Sequence, residues 1–88
     1  MKQTSNCIYS KENRILSECL KVMRKRSHMT QKELAIQLGY SQAYVSKYER
    51  GQMQLGFVDV RKICRVLGTQ LEEFVVQYET NLKGGKKE

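Results

Sequence analysis

Proline and tryptophan are absent from the 88-residue sequence, and only 8% of its residues are aromatic. Without proline, no helix is interrupted from within. Apolar residues recur with a period of about 3.6 residues, the period of an α-helix. Together with the absence of proline, this periodicity predicts an all-α domain with short connections. No apolar run is long enough to span a bilayer, and the first residues lack the apolar stretch of a secretory signal. The sequence therefore predicts a cytoplasmic protein with no membrane contact.

Cysteine and histidine are also scarce, with three cysteines and one histidine. Cys7, Cys19 and Cys64 are odd in number and do not have the spacing of a metal site or a disulfide scaffold. Cys19 and Cys64 lie among apolar residues and are predicted to be buried, whereas Cys7 is predicted to be exposed. His28 has neither a second histidine nor a neighbouring nucleophile. We therefore predict a reduced protein that is not an enzyme and holds no metal or cofactor.

Positive charge is in excess, with 16 Lys and Arg against 9 Asp and Glu and a net charge of +7. Such a balance favours a polyanionic partner. The charge alone does not distinguish DNA from RNA or from an acidic membrane as the partner. The simple alternative is that the basic surface only aids solubility. A chain of this length predicts one small domain, without room for a separate catalytic or effector domain.

The apolar periodicity predicts five helices. Residues 1–10 are predicted to form a flexible arm, residues 11–79 the helical domain and residues 80–88 a disordered basic tail. The first helix should run from Lys11 to Arg26, with His28 in a left-handed conformation after it. The fourth should end at Gly68, and its predicted inward side chains are Phe57, Val60, Ile63, Cys64 and Leu67.

The segment from residue 29 to residue 51 predicts two short helices joined by a tight turn. Thr30 and Glu33 have the spacing of a capping box, Gly39 is suited to end the first helix, and Ser41 to begin the second. In the second helix, Val45 and Tyr48 should face inward. The predicted outward face consists of Gln42, Ala43, Ser46, Lys47 and Arg50.

The last predicted helix, which Thr69 and Glu72 are expected to cap, has an unusually wide apolar surface. One broad apolar stripe is formed by Leu71, Phe74, Val75 and Tyr78, and Val76 lies off this stripe. A surface wider than one small core needs favours self-association, and we predict a homodimer through Phe74, Val75, Val76 and Tyr78. The alternative is that this helix packs only on its own domain.

In these features the chain resembles the lambda-repressor-like, Cro/CI-type (XRE) helix-turn-helix family of bacterial and phage regulators. The resemblance covers about residues 14–78. It rests on Arg24, on Thr30-Gln31-x-x-Leu34-Ala35-x-x-Leu38-Gly39-x-Ser41, on Val45-Ser46-x-x-Glu49-Arg50-Gly51, and on Leu67-Gly68. His28, Leu55 and Gln70 stand where the family often has Gly, Pro and Ser. The resemblance implies a compact five-helix fold, a helix from Ser41 to Arg50 in the major groove of DNA, and a dimer on a palindromic operator.

Four side chains are candidates for reading bases. The Gln42 amide suits adenine N6 and N7, and Lys47 suits guanine O6 and N7. The Ala43 methyl suits a thymine methyl, and Ser46 suits either a base or a phosphate. The candidates for phosphate contact, which would fix the register on the duplex, are Gln31, Ser41, Tyr44, Arg50 and Gln52.

Arg24 and Glu49 resemble the family's ion pair between the first and third helices. We predict that this pair is structural and sets the angle at which the third helix projects.

The leading hypothesis is a repressor that binds double-stranded DNA and blocks its operator by occupancy. An antitoxin or a restriction-modification controller would have nearly the same sequence, and an antitoxin would in addition bind a small toxin protein. An adaptor that binds protein, as some coactivators do, and a nonspecific nucleic-acid binder are the remaining alternatives. In a bacterial or phage setting, such a regulator would be cytoplasmic and associated with the nucleoid when bound.

Overall fold

The computed structural model describes residues 10–84, which form five helices and no strand. The helices are α1 (Lys11–Arg26), α2 (Gln31–Leu38), α3 (Gln42–Glu49), α4 (Phe57–Val66) and α5 (Leu71–Leu82). This confirms the all-α, five-helix prediction. Because α5 continues to Leu82, residues 80–82 are helical and not part of a tail. Cys7 and most of the predicted arm and tail lie outside the described residues.

The predicted helix-turn-helix boundaries are confirmed. Thr30 Oγ1 accepts a hydrogen bond from the Glu33 amide at 3.0 Å, and the Glu33 carboxylate accepts one from the Thr30 amide at 2.8 Å. Gly39 ends α2 with φ 79°, a left-handed conformation that suits glycine. Ser41 Oγ then accepts a hydrogen bond from the Tyr44 amide at 3.1 Å and so caps α3. The turn between α2 and α3 is therefore fixed by local hydrogen bonds.

The end of α1 also follows the prediction, since His28 has φ 59°. Histidine accepts this conformation more readily than most side chains. The following residue, Met29, donates its amide to the Arg24 carbonyl at 3.3 Å. The chain is thereby turned sharply from α1 into the cap of α2.

The core lies where α1 packs against α3 and α5, and where α4 packs against α2 and α5. Its largest fully buried side chains are Tyr48, Leu20, Leu34, Ile63, Val45 and Cys64. Cys19 and Cys64 are buried free cysteines, as predicted. Burial raises the pKa of the Cys64 thiol to about 11, so this thiol stays protonated at neutral pH.

Two predictions about the last two helices are wrong. Phe57 was expected to face inward but is 67% exposed, because it is the first residue of α4 and its side chain points back toward the N-terminus, beyond the core. Thr69 does not cap α5. The N-cap is Gln70, and among the described residues no side chain accepts a hydrogen bond there.

No helix in residues 10–84 combines the length and the apolar character that a membrane crossing requires.

Candidate nucleic-acid interface

The inner face of α3 is anchored in the core. Val45 and Tyr48 are both fully buried, and α3 packs closely against α2 and α1. Two buried side chains three residues apart fix the rotation of a helix about its axis. The opposite face of α3 is therefore held toward solvent.

The predicted base-reading side chains share that outer face. Gln42, Ala43 and Lys47 are exposed, and Ser46 is half-buried. An α-helix with its side chains is about 10–12 Å in diameter, and the major groove of B-DNA, about 12 Å wide, admits a helix of this size.

The buried ends of α1 and α3 are joined by an ion pair. Arg24 Nε donates to Glu49 Oε2 at 2.7 Å and Arg24 Nη2 donates to Glu49 Oε1 at 3.1 Å. The side chains are 9% and 2% exposed. Hydrogen bonding to Glu49 raises the pKa of Arg24 above its ordinary value, so the guanidinium stays charged. A bidentate pair of this kind restricts orientation as well as distance.

Gln31 is part of the same network, which the sequence did not predict. Its Nε2 donates to Glu49 Oε1 at 3.0 Å, and Arg24 Nη1 donates to the Met29 carbonyl at 2.7 Å. The Gln31 amide was predicted to contact a phosphate. One of its two N–H groups is directed at Glu49, and the other remains available to donate to a phosphate. The network thus connects α1, the start of α2 and the end of α3.

The other candidates for phosphate contact are also engaged in internal interactions. The Ser41 oxygen caps α3, which leaves its hydroxyl hydrogen to donate. The Tyr44 ring lies between two other tyrosines, with ring centroids 4.4 Å from Tyr40 and 5.6 Å from Tyr48. Burial raises the pKa of Tyr44 to about 12. Tyr44 therefore supports the start of α3 as well as bordering its outer face.

Arg50 and Gln52 lie side by side at the end of α3. Arg50 donates from Nε and Nη2 to Gln52 Oε1 at 3.3 and 3.2 Å. Its Nη1 donates to Ser46 Oγ. The sequence placed Arg50 on the outward face but gave no sign of these contacts.

Lys62 is a cationic neighbour of the turn that sequence reasoning missed. Its Nζ donates to the Tyr40 hydroxyl at 3.2 Å and lies 5.2 Å from the centroid of that ring. Lys62 belongs to α4, 22 positions from Tyr40, so no local pattern could have revealed the contact. The packing of α4 brings this positive charge beside the helix-turn-helix.

A groove of about 500 Å³ runs between the end of α1 and α5. Its walls include Met23, Arg26, Glu73 and Val76. Of the four predicted dimer residues, Val75 is 43% exposed and Val76 is 65% exposed. The other two pack inward: Phe74 is 3% exposed, and the Tyr78 hydroxyl donates to the Glu12 carbonyl at 3.2 Å. α5 therefore packs on its own domain through Phe74 and Tyr78, and on its other side it exposes Val75 and Val76 among polar residues.

Within the described part of the chain, no three His, Cys, Asp or Glu side chains are grouped so that they could hold a metal ion.

Comparison with known proteins agrees with this geometry. A family model described as a helix-turn-helix domain matches residues 15–75. Two crystal structures of the clp gene regulator ClgR from Corynebacterium glutamicum have a similar fold. One is 23% identical with a TM-score of 0.73, over 80% of this chain and 90% of that one. The other is 22% identical with a TM-score of 0.77, over 84% and 79%. No curated protein matches the chain significantly in sequence.

Proposed function

The chain belongs to the helix-turn-helix domain family, and we propose that it is a sequence-specific transcriptional regulator that places α3 in the major groove of double-stranded DNA. One observation carries this proposal: α3 is anchored by two buried side chains and turns Gln42, Ala43 and Lys47 outward. Base-reading groups on the exposed side of an anchored helix suit DNA recognition. The net charge of +7 supports attraction to the duplex.

Within this proposal, Gln42, Ala43, Ser46 and Lys47 read base edges. The residues around them contact phosphates, through the N–H and O–H donors that their internal hydrogen bonds leave free. These residues are Gln31, Ser41, Tyr44, Arg50 and Gln52. The Arg24–Glu49 pair orients α3 without touching DNA. The regulator acts in the cytoplasm as a repressor, through occupancy of its operator and without catalysis.

Selection of bound sequences from a random pool of DNA duplexes at near-physiological salt tests this function. Wild-type protein should enrich one site, and Gln42→Ala should relax a single base position, with a loss of about 1–3 kcal/mol in discrimination there. Gln37→Ala is the matched control, because Gln37 is an exposed glutamine on α2 outside the proposed contacts. Enrichment of no sequence would overturn the proposal and favour an adaptor or a nonspecific binder.

We further propose a dimer that joins two copies through the α1–α5 groove and the exposed valines of α5. A two-fold axis would place Val76 of each copy against the other. The groove has both a cation, Arg26, and an anion, Glu73, on its walls, so two copies of the same surface complement each other in charge. With two half-sites one helical turn apart, the operator would be palindromic.

Sedimentation of Val76→Glu tests the dimer. This change should produce a monomer, because it puts a charge into an apolar contact between copies. Val58→Glu is the matched control: Val58 on α4 is 69% exposed, much like Val76 at 65%, and its replacement should leave the mass unchanged. A monomeric wild-type protein, or an unchanged Val76→Glu, would contradict this interface.

A further inference from the structure

The side chain of Arg50 folds back over the last turn of α3. It donates through Nη1 to Ser46 Oγ, one turn earlier, and through Nε and Nη2 to Gln52 Oε1. The planar guanidinium thus bridges a predicted base reader and a predicted phosphate contact on the exposed surface. If Arg50 only contacted a phosphate, it would not need to bond to both Ser46 and Gln52.

These bonds decide which hydrogen-bonding groups remain free. A serine hydroxyl has one O–H donor and two lone pairs that can accept. Arg50 Nη1 occupies one lone pair of the Ser46 oxygen, and its positive charge repels a second donor from the other, so the O–H is the group left to contact a base. The Gln52 oxygen is likewise occupied, which leaves its NH₂ group as a donor. Of the five guanidinium N–H groups, two remain for a phosphate.

We infer that Arg50 is a positioning residue that fixes Ser46 as a hydrogen-bond donor, so that Ser46 selects an acceptor on the base edge. Suitable acceptors in the major groove are guanine O6 and N7, thymine O4 and adenine N7, whereas the amino group of cytosine is disfavoured. The inference rests on the proposed function, because it specifies how one of the proposed base readers works.

The experiment is quantitative DNA binding on the selected site and on duplexes with each alternative base at the Ser46 position. The variants are Ser46→Ala, Arg50→Lys and the double variant. Lysine keeps the positive charge but has no planar fork with which to hold Ser46 and Gln52 together. Arg65→Lys is the matched control, since Arg65 is an exposed arginine on α4 outside the proposed contacts.

Arg50→Lys should reduce the base preference at the Ser46 position by about threefold to tenfold, the worth of one net hydrogen bond. The dependence of binding on salt should be unchanged, because the number of cations near the phosphates is unchanged. Ser46→Ala should cause the same loss, and the double variant no further loss, as expected for two residues that act as a unit.

Other outcomes would overturn the inference. If Arg50→Lys weakened all sequences equally, Arg50 would be a phosphate contact only. If Ser46→Ala and Arg50→Lys reduced the preference independently, the two residues would not be coupled. If wild-type protein selected no sequence, the proposed function itself would fail. In that case the contact is judged in the free protein by NMR, where the Arg50 Nη–H signals should exchange with water faster in Ser46→Ala than in wild type, because Nη1 loses its acceptor.

Discussion

Helices α3 and α5 are stabilised in different ways. α3 has eight residues, a serine cap and a buried ion pair at its last turn, whereas α5 has 12 residues and no side-chain cap. An isolated helix as short as α3 is unstable in water. Buried Val45 and Tyr48, together with the hydrogen bonds of Glu49 to Arg24 and Gln31, hold it in one orientation.

α5 is held by apolar packing and by single hydrogen bonds. Phe74 is buried and its ring stacks with that of Tyr78 at 6.2 Å between centroids, and Asn81 Nδ2 donates to Cys19 Sγ at 3.2 Å. Apolar contact is not directional, so it fixes the position of a helix less strictly than a bidentate ion pair does. The stricter constraint on orientation therefore lies at α3, the proposed DNA-reading helix, whereas the exposed valines of α5 belong to the proposed dimer surface.

Removal of the ion pair should give the largest effect. Glu49→Ala leaves Arg24 as a buried, unpaired charge and should lower the free energy of unfolding by about 3–5 kcal/mol, as measured by urea denaturation. Glu79→Ala, at an exposed glutamate of α5, is the control and should change stability little. A loss below about 1 kcal/mol for Glu49→Ala would mean that directional bonds do not hold α3.

Substitution of the two N-cap residues should change the stability of α3 more than that of α5. Ser41→Ala removes the acceptor for the Tyr44 amide and should cost about 1 kcal/mol. Gln70→Ala, at the uncapped start of α5, should cost close to nothing. Thermal or urea denaturation of both variants measures the difference. Equal losses of stability would contradict the statement that α3 is capped by a side chain and α5 is not.

Tyr48→Phe should increase the free energy of unfolding, in contrast to the preceding substitutions. The Tyr48 hydroxyl is buried and has no hydrogen-bond partner among the described residues. A buried polar group without a partner costs free energy, so phenylalanine in its place should stabilise the fold by on the order of 0.5–1 kcal/mol. A loss of stability in Tyr48→Phe would show that the hydroxyl is satisfied in solution, and that the inner face of α3 has a further polar contact.

The last prediction concerns alkaline pH. Burial raises the pKa of Tyr44 to about 12, above the ordinary tyrosine value near 10. The folded chain holds this proton more tightly than the unfolded chain does. The resulting stability is therefore complete below pH 10 and is lost as the pH rises toward 12. Urea denaturation at pH 8, 10 and 11 should show a shallower decline for Tyr44→Phe than for wild type, and identical slopes would contradict the shift.

Much of the fold is predictable from local sequence. Thr30, Gly39 and Ser41 act on backbone groups within a few residues of themselves, so their positions in the chain were enough to place α2, the turn and α3. The left-handed conformation of His28 follows from the same local logic. Thr69 fails as a cap because α5 begins after Gln70, one residue later than a Thr69 cap requires.

The candidate site was less predictable. The outward face of α3 follows from helical spacing alone. The partners of its side chains do not, because Gln31 meets Glu49 across 18 positions and Lys62 meets Tyr40 across 22. The periodicity of α5 placed Val76 off the apolar stripe, but it did not show that within the stripe Phe74 is buried and Val75 is 43% exposed.

By itself, the sequence determined the five helices, the caps of the helix-turn-helix and the side chains that α3 turns outward, because each depends on interactions within one or two helical turns. Only the tertiary structure decided which donors and acceptors those side chains keep free, and which side chains of the α5 stripe stay exposed. Both depend on contacts between helices distant in sequence, whose relative placement is set by the packing of the whole core.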